Sequence, residues 1–243
     1  MEMRTRILEA AADLLSRSVD ADISTRDVCD AAGVAAPALY RQFGDKEGLL
    51  SAVVDFGFEQ YLAGKRAAVP SGDPVQDLRD GWDNHVAFAV ENPNYYRLMW
   101  SPGLSVPPQA AAEAHQLLLR VCERCALAGR LTASAGTAAK MIMSANAGVA
   151  LSLISRTAVY TDHRFSDRVR DAVIDSVTLP RTAKRRSVAA EGSGAEVASA
   201  AATLAARLEV EAPDELNSAE HALLQVWLAR LADAKNPGPR KGR

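Results

Sequence analysis

Two cysteines and a histidine have the chemistry to hold a metal ion or carry a redox reaction. Cys122 and Cys125 stand three residues apart, and His115 lies seven residues before Cys122 on a similar helix face. Three possible ligands with no obvious fourth make a weak zinc site, because structural zinc takes four ligands. A C-x-x-C motif inside a continuous apolar helix, away from any βαβ pattern, is also a poor redox motif. We therefore expect buried small hydrophobic side chains here, and neither a metal nor another cofactor.

The rest of the chain offers little for catalysis. Its 243 residues show no nucleophile–base pair, carboxylate pair or metal cluster at a persuasive spacing. Hydrophobic residues make up 48% and charged residues 24%, which is typical of a packed core. No window reaches the roughly 18 apolar residues of a membrane span, and the N-terminus lacks the apolar run of a signal peptide. We therefore expect a non-enzymatic, cytoplasmic protein with no membrane partner.

A second group of residues suits contacts to nucleic acid. Thr25 and Arg26 offer a hydroxyl, a guanidinium and free N–H groups to a phosphate. The hydroxyl of Tyr40 can reach backbone phosphate, and Arg41 can reach a phosphate or a guanine edge. Lys46 suits a phosphate contact as a point charge. These five residues stand within 22 positions of one another, so the elements that hold them decide whether they can act together.

Two short helical patterns position these residues. Ser24 is expected to cap the first helix, and Gly33 to end it, since glycine tolerates the left-handed conformation of helix ends. The second helix carries small side chains that let its backbone approach a duplex closely, namely Ala36, Pro37 and Ala38. Two helices joined by a short turn that contains Gly form a helix-turn-helix, whose second helix lies in the major groove.

The head combines a small predicted core with an acidic net charge. The expected core residues are Val28, Ala31, Val34, Leu39 and Phe43, and Asp45 is expected to cap a fourth helix. Residues 1–46 contain six Lys or Arg and eight Asp or Glu, a net charge of −2. A DNA-binding head usually carries a basic footprint. Binding to DNA would therefore depend on individually placed cations rather than on a basic patch.

The stretch ISTRDVCDAAGVAAPALYRQFGDKEGLL, residues 23–50, resembles the DNA-binding signature of TetR-family transcriptional regulators. The matching features are the Thr-Arg start, the Ala-Gly-Val turn, and LYRQFGDKEGLL bridging the third and fourth helices. The resemblance covers about the first 60 residues. Two positions depart from the family pattern. Gln42 stands where the family usually has His, and Ala38 stands where it often has Ser or Thr.

The resemblance implies an all-α fold with a helix-turn-helix head on a larger helical body that binds a small molecule and dimerises. It implies a homodimeric, ligand-responsive regulator, most often a repressor, that binds the matching half-sites of a palindromic operator in double-stranded DNA. For the dimer interface we favour residues 134–157 and 164–178, because Ala, Ser and Gly there allow close helix approach. The alternative is an ordinary buried helix pair in a monomer.

Bulky side chains concentrate between residues 82 and 100, although only 5% of the chain is aromatic. Plain hydrophobic core is one interpretation. The other is a mostly apolar ligand pocket with a few polar anchors, His85 and Asn146. The segment NPNYYRLMW also resembles part of some TetR-family ligand domains. The predicted ligand-binding residues are Trp82, His85, Phe88, Tyr96, Met99, Trp100, Leu118, Met141 and Asn146.

These interpretations divide the chain into successive segments. They are a DNA-binding domain 1–46 with a connecting helix 45–68, a ligand-binding and dimerisation domain 69–180, a linker 181–194, a C-terminal helical extension 195–235 and a disordered tail 236–243. The extension lies outside the resemblance. It carries an apolar stripe made of Leu223, Leu224, Trp227, Leu228 and Leu231. The alternative function is therefore a helical protein-interaction or ligand-binding protein that uses this extension.

Overall fold

The computed structural model describes residues 2–18, 22–101, 104, 107–162, 164–179, 194–211 and 215–234. Their helices are α1 Met3–Arg17, α2 Thr25–Ala32, α3 Ala36–Phe43, α4 Lys46–Ala67, α5 Pro74–Glu91, α6 Pro93–Met99, α7 Gln109–Leu127, α8 Ala135–Ser155, α9 Arg164–Val177, α10 Gly194–Val210 and α11 Ser218–Ala232. One isolated β-bridge joins Leu131 and Thr178, and no strand occurs in these residues. The predicted all-α class with a helix-turn-helix head is confirmed.

Local signals define the helices of the head. The side chain of Ser24 accepts the backbone N–H of Arg26 at the start of α2. Gly33 ends α2 with φ 63°, in the left-handed region where a residue with a Cβ is strained. Asp45 caps α4 by accepting the N–H of Gly48 at 2.7 Å. These three terminal positions confirm the predicted helix ends.

Of the five predicted core residues of the head, two are buried, Val34 and Phe43 are half-buried, and one is exposed. Val28 and Leu39 are fully buried, as predicted, but Ala31 is exposed. The inward face of α2 is centred on Val28, Cys29 and Ala32, and at 100° per residue Ala31 falls outside it. The prediction of Ala31 as a core residue is therefore wrong.

The chain divides into two compact units. The first contains residues 1–69, 84–117 and 148–161, and the second contains residues 70–83, 118–147 and 162–243. The first unit therefore holds the head, α4, α6 and residues 84–91 of α5. The predicted linker 181–194 lies outside the described residues except for Gly194, the first residue of α10, and the predicted tail 236–243 lies outside them altogether.

Helix α8 is the most apolar long helix among the described residues. Its length and composition would suffice to cross a membrane, which corrects the expectation that no such window exists. The core helix of a soluble protein passes the same test, and 44% of the most apolar window is buried inside the protein. Its exposed positions Lys140, Met141, Ser144 and Gly148 recur at helical spacing and therefore share one face.

The C-terminal extension forms a helical pair in the second unit. Asn217 and Glu220 make a capping box at the start of α11. At the end of α11, the Asp233 carboxylate accepts the N–H and hydroxyl of Ser134 and the hydroxyl of Thr137, each at 2.9 Å. These bonds fasten the extension to the segment that begins α8.

The residues of the predicted apolar stripe on α11 differ in their burial. Leu228 is buried and Leu224 is half-buried, whereas Leu223, Trp227 and Leu231 are each about half exposed. The extension therefore buries one side of the stripe within the chain and leaves the other side accessible.

Candidate DNA-binding and ligand-binding sites

All eight predicted DNA contacts lie on the helix-turn-helix and the start of the helix that follows it. They are Thr25 and Arg26 on α2, Ala36, Pro37, Ala38, Tyr40 and Arg41 on α3, and Lys46 on α4. Arg26, Ala36, Pro37 and Arg41 are exposed, and Tyr40 is 43% exposed. Because Leu39 on the same helix is fully buried, α3 is held firmly while its other side stays accessible.

Two of these side chains meet across the turn. The hydroxyl of Tyr40 lies 3.4 Å from Oγ1 of Thr25, so two O–H groups from different helices stand together on the surface. This spacing is longer than an ordinary O–H···O bond, so neither hydroxyl is strongly engaged by the other. Both hydroxyls can therefore donate to an incoming acceptor such as a phosphate oxygen.

Lys46 is already paired. Its ammonium lies 2.7 Å from the Asp22 carboxylate, and this hydrogen bond holds the pKa of Asp22 below its usual range. Both side chains are largely exposed, so the pair contributes little to stability. DNA binding at Lys46 would have to compete with Asp22. Sequence reasoning missed Asp22, because it lies 24 positions from Lys46 and only the fold brings the two together.

The C-terminal end of α3 is held by α1. The guanidinium of Arg4 stacks 4.5 Å from the ring centroid of Phe43 and donates to the backbone carbonyl of Gln42 at 3.0 Å. A cation at a helix C-terminus is favourable. Since the contact uses the carbonyl of Gln42 and not its side chain, replacing the usual His at this position does not remove it.

Two of the predicted ligand-binding residues in the first unit, His85 and Tyr96, form a hydrogen-bonded chain with Tyr61. His85 is 4% exposed; its Nδ1 lies 2.7 Å from the Tyr61 hydroxyl and its Nε2 lies 2.9 Å from the Tyr96 hydroxyl. Burial, with the nearby Lys65 ammonium, lowers the pKa of His85 to about 3, so its imidazole is neutral. Burial also raises the pKa of both tyrosines, which keeps them protonated.

Aromatic rings pack around this chain. The Phe88 ring centroid lies 4.4 Å from that of Phe58 and 4.5 Å from that of Tyr61. Trp100, 38% exposed, lies 6.4 Å from Tyr96 by ring centroids, and Met99 is buried. His85, Phe88 and Tyr96 are thus brought into one aromatic environment.

Tyr61 and Phe58 were not among the predicted site residues, because they lie on α4, outside the cluster of bulky side chains at residues 82–100. Their spacing of three on one face of α4 is the signal that was available. That signal indicates a shared helix face, but it does not indicate that α5 packs against this face.

The remaining predicted ligand residues lie in the second unit. Trp82 is 2% exposed, and its indole N–H donates to the Ser166 hydroxyl at 3.0 Å. The side-chain N–H of Asn146 donates to the Trp82 carbonyl at 3.3 Å, while Oδ1 of Asn146 is buried without a partner in the described part of the chain. Leu118 is half-buried, and Met141 is 42% exposed.

The cysteine motif is buried in the second unit. Cys122 and Cys125 are both 0% exposed, and burial raises the pKa of the Cys125 thiol to about 12. A thiol with so high a pKa is a poor nucleophile at neutral pH. The described residues include no group of three His, Cys, Asp or Glu side chains that could hold a metal ion.

Helix α6 also contacts the head. The side-chain amide of Asn94 donates to the Leu15 carbonyl at 2.8 Å and to the Ser18 carbonyl at 2.7 Å, at the C-terminal end of α1. The hydroxyl of Tyr95 donates to the Ala12 carbonyl at 3.3 Å. The next residue, Tyr96, belongs to the buried chain. Three consecutive residues of α6 therefore connect the aromatic environment of the body to α1.

Comparison with known proteins agrees with this head. Residues 7–53 match the family model of bacterial regulatory proteins of the tetR family. Over 70 residues, the chain is 41% identical to the HTH-type transcriptional regulatory protein RaaS of Mycobacterium tuberculosis. This match covers 29% of the chain and 32% of RaaS, so it extends over about a third of the relative's length.

Solved structures share the fold over more of the chain. A bacterial regulatory protein in the tetR family from Rhodococcus RHA1 aligns with a TM-score of 0.54 and 20% identity, over 74% of this chain and 99% of that one. TetR-Q116A from Acinetobacter baumannii AYE, in complex with minocycline, aligns with a TM-score of 0.56 and 18% identity, over 71% of this chain and 94% of that one. At these identities the alignments show the fold.

The matched head is therefore a helix-turn-helix of the kind that occurs in transcriptional regulators. Within that class, residues 7–53 place the N-terminal domain in the TetR family. The family resemblance stated from residues 23–50 is confirmed.

Proposed function

We propose that this protein is a homodimeric, sequence-specific DNA-binding repressor in the cytoplasm, released from a palindromic operator by a small, mostly apolar ligand. The observation that carries the proposal is the geometry of α3. Its buried Leu39 fastens the helix, while Ala36, Pro37, Tyr40 and Arg41 are exposed. A firmly held helix with short side chains at its start suits the major groove of a duplex.

A ligand site in the body is supported by buried polar groups among apolar side chains. Small-molecule sites combine an apolar lining with a few placed polar groups. In the first unit, His85 and two tyrosine hydroxyls lie among the rings of Phe58 and Phe88. One structural neighbour, TetR-Q116A, binds minocycline, which supports a small-molecule effector for this chain as well.

Dimerisation through α8 and α9 is supported by the composition of the exposed face of α8. Ser144 and Gly148 on that face have little side-chain bulk, so a second helix can approach closely. A two-fold dimer presents two α3 helices to half-sites separated by one helical turn of DNA or a multiple of it.

Ligand release follows from differential binding. A ligand that binds better to a conformer with wrongly spaced heads shifts the population off the operator. Two elements can carry this change within the first unit. Helix α4 runs without a break from Lys46 into the body, and α6 bonds to α1 through Asn94 and Tyr95.

A mobility-shift titration with an operator selected from random duplexes tests the proposed DNA contacts. Lys46→Ala should weaken binding on all duplexes and lower the salt slope by about 1, because it removes one phosphate contact. Tyr40→Phe should weaken binding by about 1 kcal/mol, the typical contribution of one hydrogen bond. Arg207→Ala, which removes an exposed cation on α10, is the control. Unchanged binding in both head variants would reject these contacts.

A second function, protein interaction through the extension, is favoured by the accessible side of its apolar stripe. Trp227 is 52% exposed, and Leu223 and Leu231 are nearly as exposed. The variant Trp227→Glu distinguishes the two functions. Under the repressor proposal it binds operator like the wild type, whereas a protein whose function depends only on the extension would bind no operator in either form.

A further inference from the structure

The Tyr61–His85–Tyr96 chain has one more donor than it can use. The two hydroxyls and the imidazole are joined by two hydrogen bonds, of 2.7 Å and 2.9 Å. Because burial keeps His85 neutral, its ring has one N–H donor and one acceptor nitrogen. Each tyrosine hydroxyl adds one proton. Three protons therefore serve two bonds.

The two hydrogen bonds can run in either direction, and in both cases one tyrosine hydroxyl proton has no acceptor. If Tyr61 donates to Nδ1, then Nε2–H donates to Tyr96, and the Tyr96 proton is left over. If Tyr96 donates to Nε2, then Nδ1–H donates to Tyr61, and the Tyr61 proton is left over. In the described part of the chain neither hydroxyl has an acceptor other than His85. Tyr96 is fully buried and Tyr61 is half-buried. A donor shielded from water without an acceptor is destabilising, so this position favours an added acceptor.

The surroundings favour the direction in which Tyr96 donates to His85, His85 donates to Tyr61, and the Tyr61 proton is left over. The Lys65 ammonium lies 5.0 Å from the centroid of the Tyr61 ring and supplies positive charge at that end of the chain. A negatively charged acceptor gains from that charge at Tyr61 and not at Tyr96. The rings of Phe58 and Phe88 pack against Tyr61, so the body of a ligand here would meet aromatic faces.

We propose that the effector is an aromatic molecule bearing an anionic oxygen acceptor, a carboxylate or phenolate, which accepts the hydroxyl proton of Tyr61. Tyr96 and His85 orient that proton by donating along the chain toward Tyr61. This inference rests on the proposed function, since it takes the body of the protein as the effector site.

Calorimetric titration of the full chain with matched aromatic pairs tests the inference. The pairs are benzoate with toluene and 2-naphthoate with 2-methylnaphthalene, which differ only in the acceptor. At least one carboxylate should bind well above its methyl partner. Tyr61→Phe should weaken that carboxylate about ten- to a hundredfold, since a hydrogen bond to a charged group is lost. Tyr96→Phe should cause a smaller loss, because the bond from His85 to Tyr61 remains.

Tyr160→Phe is the matched control, since it removes a hydroxyl in the same unit that takes no part in the chain. Its carboxylate affinity should equal that of the wild type. The inference is overturned if no carboxylate binds, if methyl partners bind equally well, or if Tyr61→Phe keeps the wild-type preference. Circular dichroism of each variant checks folding, and a misfolded Tyr61→Phe is replaced by Tyr61→Trp, which also lacks the hydroxyl.

These experiments distinguish a failure of this inference from a failure of the proposed function. If carboxylates bind through Tyr61 but leave the protein on its operator, ligand release fails and this inference stands. If other molecules release the operator without any dependence on Tyr61, ligand release stands and this inference fails.

Discussion

Asp22 is the residue at which we expect DNA affinity to be adjusted in a head that lacks a basic patch. Its carboxylate pairs with Lys46 at 2.7 Å, so one of the few cations of the head is engaged before DNA arrives. Residues 1–46 carry a net charge of −2. Each placed cation therefore matters more than it would in a strongly basic domain.

We predict that Asp22→Asn tightens operator binding about three- to tenfold at low salt, because it frees Lys46 for phosphate and removes a repulsive charge. The matched control is Asp30→Asn, an equal change of charge at another exposed head residue. Mobility shift across a salt series measures both variants. Equal gains in the two would show that only net charge matters and that the Lys46 pair has no role.

His85 gives the first unit a pH dependence. Its pKa is lowered by burial to about 3, whereas an exposed histidine titrates near its ordinary value of 6.5. Between these values the unfolded chain binds a proton that the folded chain does not. Unfolding is therefore favoured as the pH falls through this window, and stability is regained as the pH rises.

We predict that the free energy of unfolding falls by up to about 1.4 kcal/mol per pH unit below pH 6.5 through this residue. His85→Gln should show a flatter dependence between pH 6.5 and 5, where few carboxyl groups titrate. Urea denaturation at several pH values measures the difference between the two proteins. Parallel curves would mean that His85 is accessible to protons in the folded state.

Among the helices, α6 links the aromatic environment of the body to the head. Asn94 and Tyr95 bond to backbone carbonyls of α1, and Tyr96 joins the buried histidine. Gly57 of α4 allows α6 to approach, since a Cβ at this position would lie 2.5 Å from the Tyr95 ring. A ligand that displaces Tyr96 would therefore also shift the C-terminal end of α1.

We predict that Asn94→Ala keeps effector affinity but reduces the effector's ability to release operator, because two bonds to α1 are lost. Asn92→Ala is the matched control, since that amide donates to the Phe88 carbonyl and not to the head. Effector affinity by calorimetry and release by mobility shift are compared in both variants. If Asn94→Ala releases operator as the wild type does, α6 is not the coupling element.

The helix ends of the head could be predicted from sequence because their causes are local. Ser24, Gly33 and Asp45 act on residues within four positions of themselves. The buried chain could not be predicted, because Tyr61 and His85 are 24 positions apart and meet only when α4 packs on α5. The error at Ala31 has the same origin, since the inward direction of α2 is set by its packing partners.

In the whole molecule, the proposed dimer requires that the exposed face of α8 packs against a second copy of the chain. Gly148 is exposed, and a Cβ built on it meets no atom within 4 Å in the single chain. A large side chain at this position is therefore compatible with the folded monomer. It is incompatible with a closely packed second copy on the same face.

We predict that Gly148→Arg folds but sediments as a monomer and loses operator binding. Gly64→Arg on α4 is the control, because this exposed glycine also has no atom within 4 Å of its built Cβ. Sedimentation velocity and circular dichroism report assembly and folding. A dimeric Gly148→Arg would place the interface elsewhere.

Selection of bound sequences from random duplex DNA with the entire chain tests whether this protein is a sequence-specific DNA-binding regulator. We expect enrichment of one palindromic sequence whose half-sites lie one helical turn, roughly 34–36 Å, or a multiple of it apart. Recovery of no enriched duplex sequence at low salt would contradict it.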